Sequence, residues 1–153
     1  MLIEKRIESL GFKLPGVPPP TAGSYIRGLQ VGELLYTSGM GPWENGVIKY
    51  KGRFGENLSI EEGYQIGRIC VLNLLSVIKS LAGDLDKVDR VVQMQGWINS
   101  TGEFHDEHVV LNGASDLLVE IFGENGRHVR HSAGVRNPMN IPIIIELVVK
   151  IRG

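Results

Sequence analysis

The stretch Ile141-Pro142-Ile143-Ile144-Ile145-Glu146-Leu147-Val148-Val149-Lys150 decides the fold. It is rich in β-branched residues and almost continuously apolar, which predicts a strand buried on both faces, either inside a sheet or against a partner subunit. The preceding segment, Arg127-His128-Val129-Arg130-His131, contains only cationic or titratable side chains apart from one valine. We predict that this segment is a loop that presents a binding group from a rigid scaffold, because the strand fixes its position.

Length and composition indicate one globular domain. A chain of 153 residues fits a single domain over residues 1–153, in which residues 1–22 form an N-terminal helix and a proline-rich arm. The 16 basic and 17 acidic residues nearly cancel and give no overall field to attract polyanions, so the sequence disfavours nucleic acid as a partner. The N-terminus lacks the apolar core of a signal peptide or membrane span, and we expect a cytoplasmic protein without membrane contact.

The first half of the chain predicts a helix followed by three antiparallel strands. Residues 2–10 place apolar side chains on one helical face, and the prolines of residues 14–23 predict an extended arm. Strands are predicted at residues 25–31, 33–38 and 47–51, the last after the turn dipeptide Asn45-Gly46.

The second half predicts two long helices and two strands. A capping box at Ser59-Ile60-Glu61-Glu62 starts a helix that Gly83 ends, and Cys70 lies in its apolar stripe as a small buried hydrophobe. A strand at residues 88–98 and a helix at residues 106–122 follow. This order predicts an α+β fold with one mixed sheet and both long helices on one face. The open sheet face predicts self-association.

Several segments together resemble the Rid (reactive-intermediate deaminase) or YjgF-type family, also called endoribonuclease L-PSP. They are Ala22-Gly23-Ser24-Tyr25, Leu35-Tyr36-Thr37-Ser38-Gly39, Glu61-Glu62-Gly63-Tyr64, Gly83-Asp84-Leu85-Asp86-Lys87-Val88, Leu111-Asn112-Gly113-Ala114-Ser115 and Gly126-Arg127-His128-Val129-Arg130. The longer proline-containing start is similar to one subfamily. The resemblance implies a chorismate-mutase-like fold and a homotrimer with its sheets facing inward and three clefts between subunits.

The resemblance also implies a site and a reaction. In active members an arginine before the last strand holds the substrate carboxylate, and water hydrolyses an enamine or imine to a keto acid and ammonia. Arg130 is the match for that arginine, and a guanidinium suits bidentate carboxylate recognition. Tyr25 and Asn112 match pocket residues, and Ser38 and Gly39 match the loop under the ligand. No metal or organic cofactor is implied.

The chain departs from the family pattern at two places. The family's water-positioning glutamate falls at Ile144, while Glu146 lies on the same face of the strand about 7 Å further along. His131 separates Arg130 from Ser132, although the family arginine directly precedes this serine. Either Arg130 has shifted or His131 has taken its place, and backbone groups near Ser132 are expected to help orient water.

Other side-chain clusters carry weaker hypotheses. Phe104-His105-Asp106-Glu107-His108 contains metal-ligand types, but Asp106 is expected to be a helix N-cap, so we predict no metal site. The arginines of residues 127–136 form a basic run without interleaved aromatic residues, which makes them weak evidence for an RNA-binding surface. The sequence therefore leaves three functions open: a trimeric enamine or imine deaminase, a non-enzymatic trimer that binds a small carboxylate or a protein partner, and, remotely, an endoribonuclease.

Overall fold

Residues 2–153 are described by the structure, which is a computed structural model. Four helices and seven strands make up the described chain. In order they are α1 (Leu2–Ser9), β1 (Gly28–Val31), β2 (Leu34–Thr37), β3 (Trp43–Glu44), β4 (Val47–Ile48), α2 (Ile60–Ala82), β5 (Val88–Asn99), α3 (Glu107–Val110), α4 (Asn112–Phe122), β6 (Val129–Val135) and β7 (Ile143–Ile151). Short 3-10 turns precede β5, follow α4 and precede β7.

The main sheet has five strands in the order β1-β2-β7-β5-β6. Strands β5 and β6 are parallel and the other neighbours are antiparallel, so the sheet is mixed as predicted. The helix α2 packs against β7 and α4. The helix that follows β5 lies on the same face, because Leu111 fills the space beside Gly96 and Ser115 contacts Met94. The predicted α+β architecture, with its helices on one face, is confirmed.

Three predicted elements differ from the observed ones. Residues 129–135 are not a loop but the edge strand β6, which pairs with β5 through backbone hydrogen bonds. The strand predicted at residues 47–51 is the two-residue β4, which pairs with β3 in a separate hairpin. The helix predicted at residues 106–122 is divided at Leu111 into α3 and α4. Asp106 occupies the N-cap position, but its side chain makes no capping hydrogen bond.

The last strand, β7, is central in the sheet and is fully buried on one face, while burial of its other face against a partner subunit stays a prediction. Along β7, alternate residues are fully buried under the helices, and the residues between them are half-buried on the other face. That open face continues across β1 and β2, where apolar side chains are exposed to solvent. They include Leu29 at 54%, Val31 at 61% and Tyr36 at 46%. An apolar sheet face of this kind marks an interaction surface.

The helix α2 is the centre of the core. The Ser59 hydroxyl accepts from Glu62 N–H at 3.1 Å and Glu62 Oε1 accepts from Ser59 N–H at 3.0 Å, so the predicted capping box is present. The helix is long and apolar enough to cross a membrane, but most of its apolar stretch is buried inside the protein. It is therefore a buried core helix, compatible with a soluble protein.

The thiol of Cys70 is expected to be inert in the native protein. Its side chain is 0% exposed, and burial raises the pKa of the thiol far above its ordinary value, which removes the reactive thiolate. We expect a disulfide reagent such as Ellman's reagent to leave the folded protein unmodified and to titrate one thiol in denaturant. Rapid native-state labelling, at the rate of a free thiol, would contradict the burial of α2.

Candidate functional site

The guanidinium of Arg130 is held by three acceptors on the helical layer. Its Nη1 donates to Asn112 Oδ1 at 3.0 Å and to Ser115 Oγ at 3.2 Å, while its Nη2 donates to the His108 carbonyl at 3.0 Å. Partial burial lowers the pKa of Arg130, and the nearby Asp116 carboxylate acts in the opposite direction. An arginine has five N–H groups, so about two remain available for an anion. The arrangement is a fixed cation with spare donors.

The break between α3 and α4 makes this arrangement possible. Leu111 turns its side chain into the core beside Gly96, and α4 restarts at Asn112. The first turn of α4 then places Asn112 and Ser115 against Arg130. The structure therefore brings together Arg130 and Asn112, two of the residues that the resemblance selects.

His131 and Arg130 point to opposite faces of the sheet. On β6, Arg130 is in register with the buried Met94, while His131 is in register with Gln95 and is exposed. Alternation along a strand requires this separation. Ser132, beside Gly96, returns to the helix face with Arg130. Of the two candidates for the carboxylate-binding position, Arg130 is the one that contacts Asn112.

Glu146 lies on the open face, away from the Arg130 of its own chain. Trp97 Nε1 donates to Glu146 Oε2 at 3.3 Å. Gln95 is in register with Glu146 on one side and with His131 on the other, so these three residues form a row across β7, β5 and β6. Glu146 is thus about 10 Å from β6 and on the opposite face from the Arg130 guanidinium.

Tyr25, Ser38 and Gly39 lie at the other side of the sheet, near β1 and β2. Ser38 Oγ donates to the Ile26 carbonyl at 2.5 Å, and the side chain of Tyr25 is 58% exposed. A Cβ at Gly39 would lie 2.7 Å from Ile144 Cγ2, so this glycine lets the loop pass close to β7. Within one chain these residues do not meet Arg130, which is on the opposite edge strand.

A solvent-open pocket of about 250 Å³ adjoins the guanidinium, and we call it the Arg130 pocket. It is lined by Ser115, Asp116, Val119, Arg127, His128 and Arg130. Ser115 and His128 were not among the predicted site residues. Helical spacing from Asn112 and strand spacing from Arg130 are the signals that point to them.

A larger cavity of about 620 Å³ lies elsewhere, between the proline-rich arm, the β3–β4 hairpin and α2. None of the predicted site residues lines it. Within residues 2–153, no group of three or more His, Cys, Asp or Glu side chains could hold a metal ion. In the segment considered for metal binding, His108 contributes its carbonyl to Arg130, and Glu107 accepts a hydrogen bond from Ser100.

Comparisons with known proteins identify the family of the chain. A family model described as "YjgF/chorismate_mutase-like, putative endoribonuclease" matches residues 4–150. The chain belongs to this YjgF family. Protein TCP17 of Trypanosoma cruzi is 34% identical over 153 residues, which cover 99% of this chain and 95% of that protein. The YjgF-type, chorismate-mutase-like fold is therefore confirmed.

Two solved structures are similar to this YjgF-family chain over nearly its whole length. Protein Atu1372 from Agrobacterium tumefaciens, described as having unknown function, is 36% identical with a TM-score of 0.89, and the match covers 99% of this chain and 93% of that one. A protein from Shewanella oneidensis, described as "a putative endoribonuclease", is 33% identical with a TM-score of 0.93, covering 97% and 99%.

Proposed function

We propose that this YjgF-family protein is a cytoplasmic homotrimer that hydrolyses small enamine or imine carboxylates to keto acids and ammonia. The observation that carries the proposal is the guanidinium of Arg130, fixed by Asn112, Ser115 and the His108 carbonyl with N–H groups to spare. A guanidinium that is already immobilised loses little side-chain entropy when it binds a carboxylate bidentately. This favours a small anionic substrate.

The division of the candidate residues between two sheet edges supports a site shared by two copies. Tyr25, Ser38 and Gly39 lie beside β1 and β2, while Arg130 and Asn112 lie beside β6 at the far edge. A second copy that covered the open sheet face would bury its exposed apolar side chains. The same docking would bring the β1–β2 edge of one copy to the β6 edge of the next.

The proposed reaction needs water and no metal or organic cofactor. The enamine tautomerises to the imine, water adds to the imine carbon, and the carbon–nitrogen bond breaks to give a keto group and ammonia. Arg130 holds the carboxylate, and backbone groups near Ser38 and Ser132 orient the water. Glu146 supplies a carboxylate on the face that a neighbouring copy would cover, where it could accept a proton from that water.

A second candidate is a non-enzymatic trimer that binds a small carboxylate or a protein partner. Two observations favour it. Ile144 stands where the resemblance places the water-positioning glutamate, and Glu146 is already engaged by Trp97. A nuclease is the weakest alternative, because a chain with net charge −1 offers no general attraction for a polyanion.

Release of keto acid from an imine generated in solution tests the proposal. With 2-aminoacrylate formed in situ, the protein is expected to accelerate pyruvate release over spontaneous decay. Arg130→Ala should lower kcat/KM about 100-fold, because charge-assisted hydrogen bonds to the carboxylate are lost. Arg136→Ala is the matched control, since Arg136 follows the same strand, is exposed and has no hydrogen bond or ion pair to residues 2–153.

The wild type and the Arg130→Ala variant also distinguish the three candidate functions from one another. Wild-type protein that gives no acceleration would overturn the deaminase proposal. If a small keto acid nevertheless raises the Tm of the wild type but not of Arg130→Ala, the binding function is supported. Equal stabilisation of both proteins would show that the carboxylate is anchored elsewhere. Cleavage of added RNA that follows the protein through purification would instead support the nuclease.

A further inference from the structure

Ser115 and His128 form a hydrogen-bonded pair inside the Arg130 pocket. Ser115 Oγ lies 2.9 Å from His128 Nε2, and His128 Nδ1 lies 2.7 Å from the Gly126 carbonyl oxygen. A carbonyl can only accept, so Nδ1 carries the proton of the neutral ring and Nε2 presents its lone pair to the Ser115 hydroxyl. A hydroxyl, a base and a third group that orients the base are the parts of an activated nucleophile.

The surroundings of the pair suit proton transfer from Ser115. Burial lowers the pKa of His128, the bond to the Gly126 carbonyl raises it and the charge of Arg130 lowers it again, with a net decrease that keeps the ring neutral. Arg130 Nη1 donates to Ser115 Oγ at 3.2 Å and would stabilise negative charge that develops on this oxygen. Met94 Sδ, at 3.8 Å, is the weaker competing acceptor for the hydroxyl.

Rigid elements hold both members of the pair. Ser115 is in the first turn of α4, and the chain that leads to His128 is pressed against the same helix at Gly126. A Cβ at Gly126 would lie 2.2 Å from the Leu118 carbonyl oxygen, so only glycine permits this approach. The imidazole is thereby anchored two residues away from a fixed point, as a precise site requires.

The charges around the pocket indicate the kind of substrate. Arg127 and Arg130 face it, and Asp116 is engaged by the Tyr64 hydroxyl at 2.9 Å. Within residues 2–153 the guanidinium of Arg127 pairs only with Glu124, in an exposed ion pair that holds the side chain weakly. Arg127 is therefore available to an incoming anion. A pocket of about 250 Å³ limits the bound group to a few heavy atoms.

We propose that the Arg130 pocket is an acyl-transfer site that hydrolyses esters of small dicarboxylic acids, with Ser115 as the nucleophile and His128 as the general base. Ser115 Oγ attacks the acyl carbon while His128 Nε2 takes its proton. The bond to the leaving alcohol breaks, and the alcohol departs with that proton. Water then attacks the acyl-Ser115 ester, again with His128 as base, and the serine is restored. Arg127 binds the free carboxylate of the acyl group.

This inference does not rest on imine hydrolysis. Every group that it uses belongs to one chain, whereas the deaminase site is proposed to need two. A negative imine assay would not contradict the esterase proposal. A negative acylation assay would not contradict the deaminase proposal.

Acylation by 4-nitrophenyl hydrogen succinate, with 4-nitrophenyl acetate for comparison, tests the inference. We expect a burst of nitrophenolate and a succinyl adduct on the wild-type peptide that contains Ser115. Ser115→Ala should abolish the adduct, and His128→Gln should slow its formation about 100-fold. Arg127→Gln should reduce the preference for succinate over acetate about 10-fold. Ser80→Ala is the matched control. Ser80 also lies in a helix, but its hydroxyl donates to the Val77 backbone carbonyl and not to a histidine.

Mapping the adduct on the wild-type protein decides the question even if a variant fails to fold. An adduct on Ser115 that slows with His128→Gln supports the site. Acylation confined to lysines, or an undiminished burst in a folded Ser115→Ala protein, would overturn it.

Discussion

Mixed trimers of Arg130→Ala and Tyr25→Ala are expected to recover about a third of wild-type imine hydrolysis, although each variant alone should be nearly inactive. Arg130 lies beside β6 and Tyr25 precedes β1, at opposite edges of the sheet. If each cleft of the proposed trimer takes Arg130 from one copy and Tyr25 from the next, about one cleft in three has both native residues in every trimer that contains both variants. Tyr25 is largely exposed, so its truncation should not disturb the fold.

Co-expression with two different tags, followed by purification on both, isolates the mixed oligomers for the assay. Arg130→Ala mixed with Asn112→Ala is the matched control. These two side chains bond at 3.0 Å within one chain, so no exchange of subunits can reunite them in one cleft. Activity that returns in the control, or fails to return in oligomers of the test pair, would contradict a site shared in this way.

Gly113→Ala is expected to destabilise the protein by about 3 kcal/mol, which lowers the Tm by about 10 °C in a chain of this size. A Cβ at this position would lie 2.1 Å from the backbone oxygen of Tyr64 on α2. No side-chain rotation can relieve a contact with backbone, so α2 and α4 must separate. The higher helix propensity of alanine stabilises the variant by at most about 1 kcal/mol, which does not offset the cost of separating the helices.

Urea unfolding followed by far-UV circular dichroism measures this effect. Gly102→Ala is the matched control, because a Cβ there would meet nothing within 4 Å. We expect the control to remain within about 0.5 kcal/mol of the wild type. If the two variants have the same free energy of unfolding, the close approach of α2 and α4 is wrong.

The elements that the sequence predicts well are those with local signals. The capping box at Ser59 and the glycine at position 83 set the ends of α2, and β-branched residues mark β7. Strand β6 carries a weaker signal. In its sequence, Val129-Arg130-His131-Ser132-Ala133-Gly134-Val135, His131 interrupts the apolar alternation, and as an edge strand it is held by backbone pairing with its neighbour rather than by burial.

The two halves of the candidate site were predictable to different degrees. The contact between Arg130 and Asn112 follows from the family resemblance, since 18 positions separate them and no periodicity links them. The partnership of Ser115 with His128 was missed, because 13 positions separate the two residues and residues 127–131 were interpreted as a loop. How two copies dock is not encoded in any local pattern.

The position of β7 in the sheet limits how far the nascent chain can fold on the ribosome. The strand that lies between β2 and β5 is the last of the seven described strands to be synthesised. While the nascent chain lacks it, the β1–β2 hairpin has no other partner in the described sheet, and α2 lacks the strand that it contacts most. The nascent chain therefore has an incomplete, exposed apolar core until β7 has left the ribosome, which makes the interval before that point the period of greatest need for a chaperone.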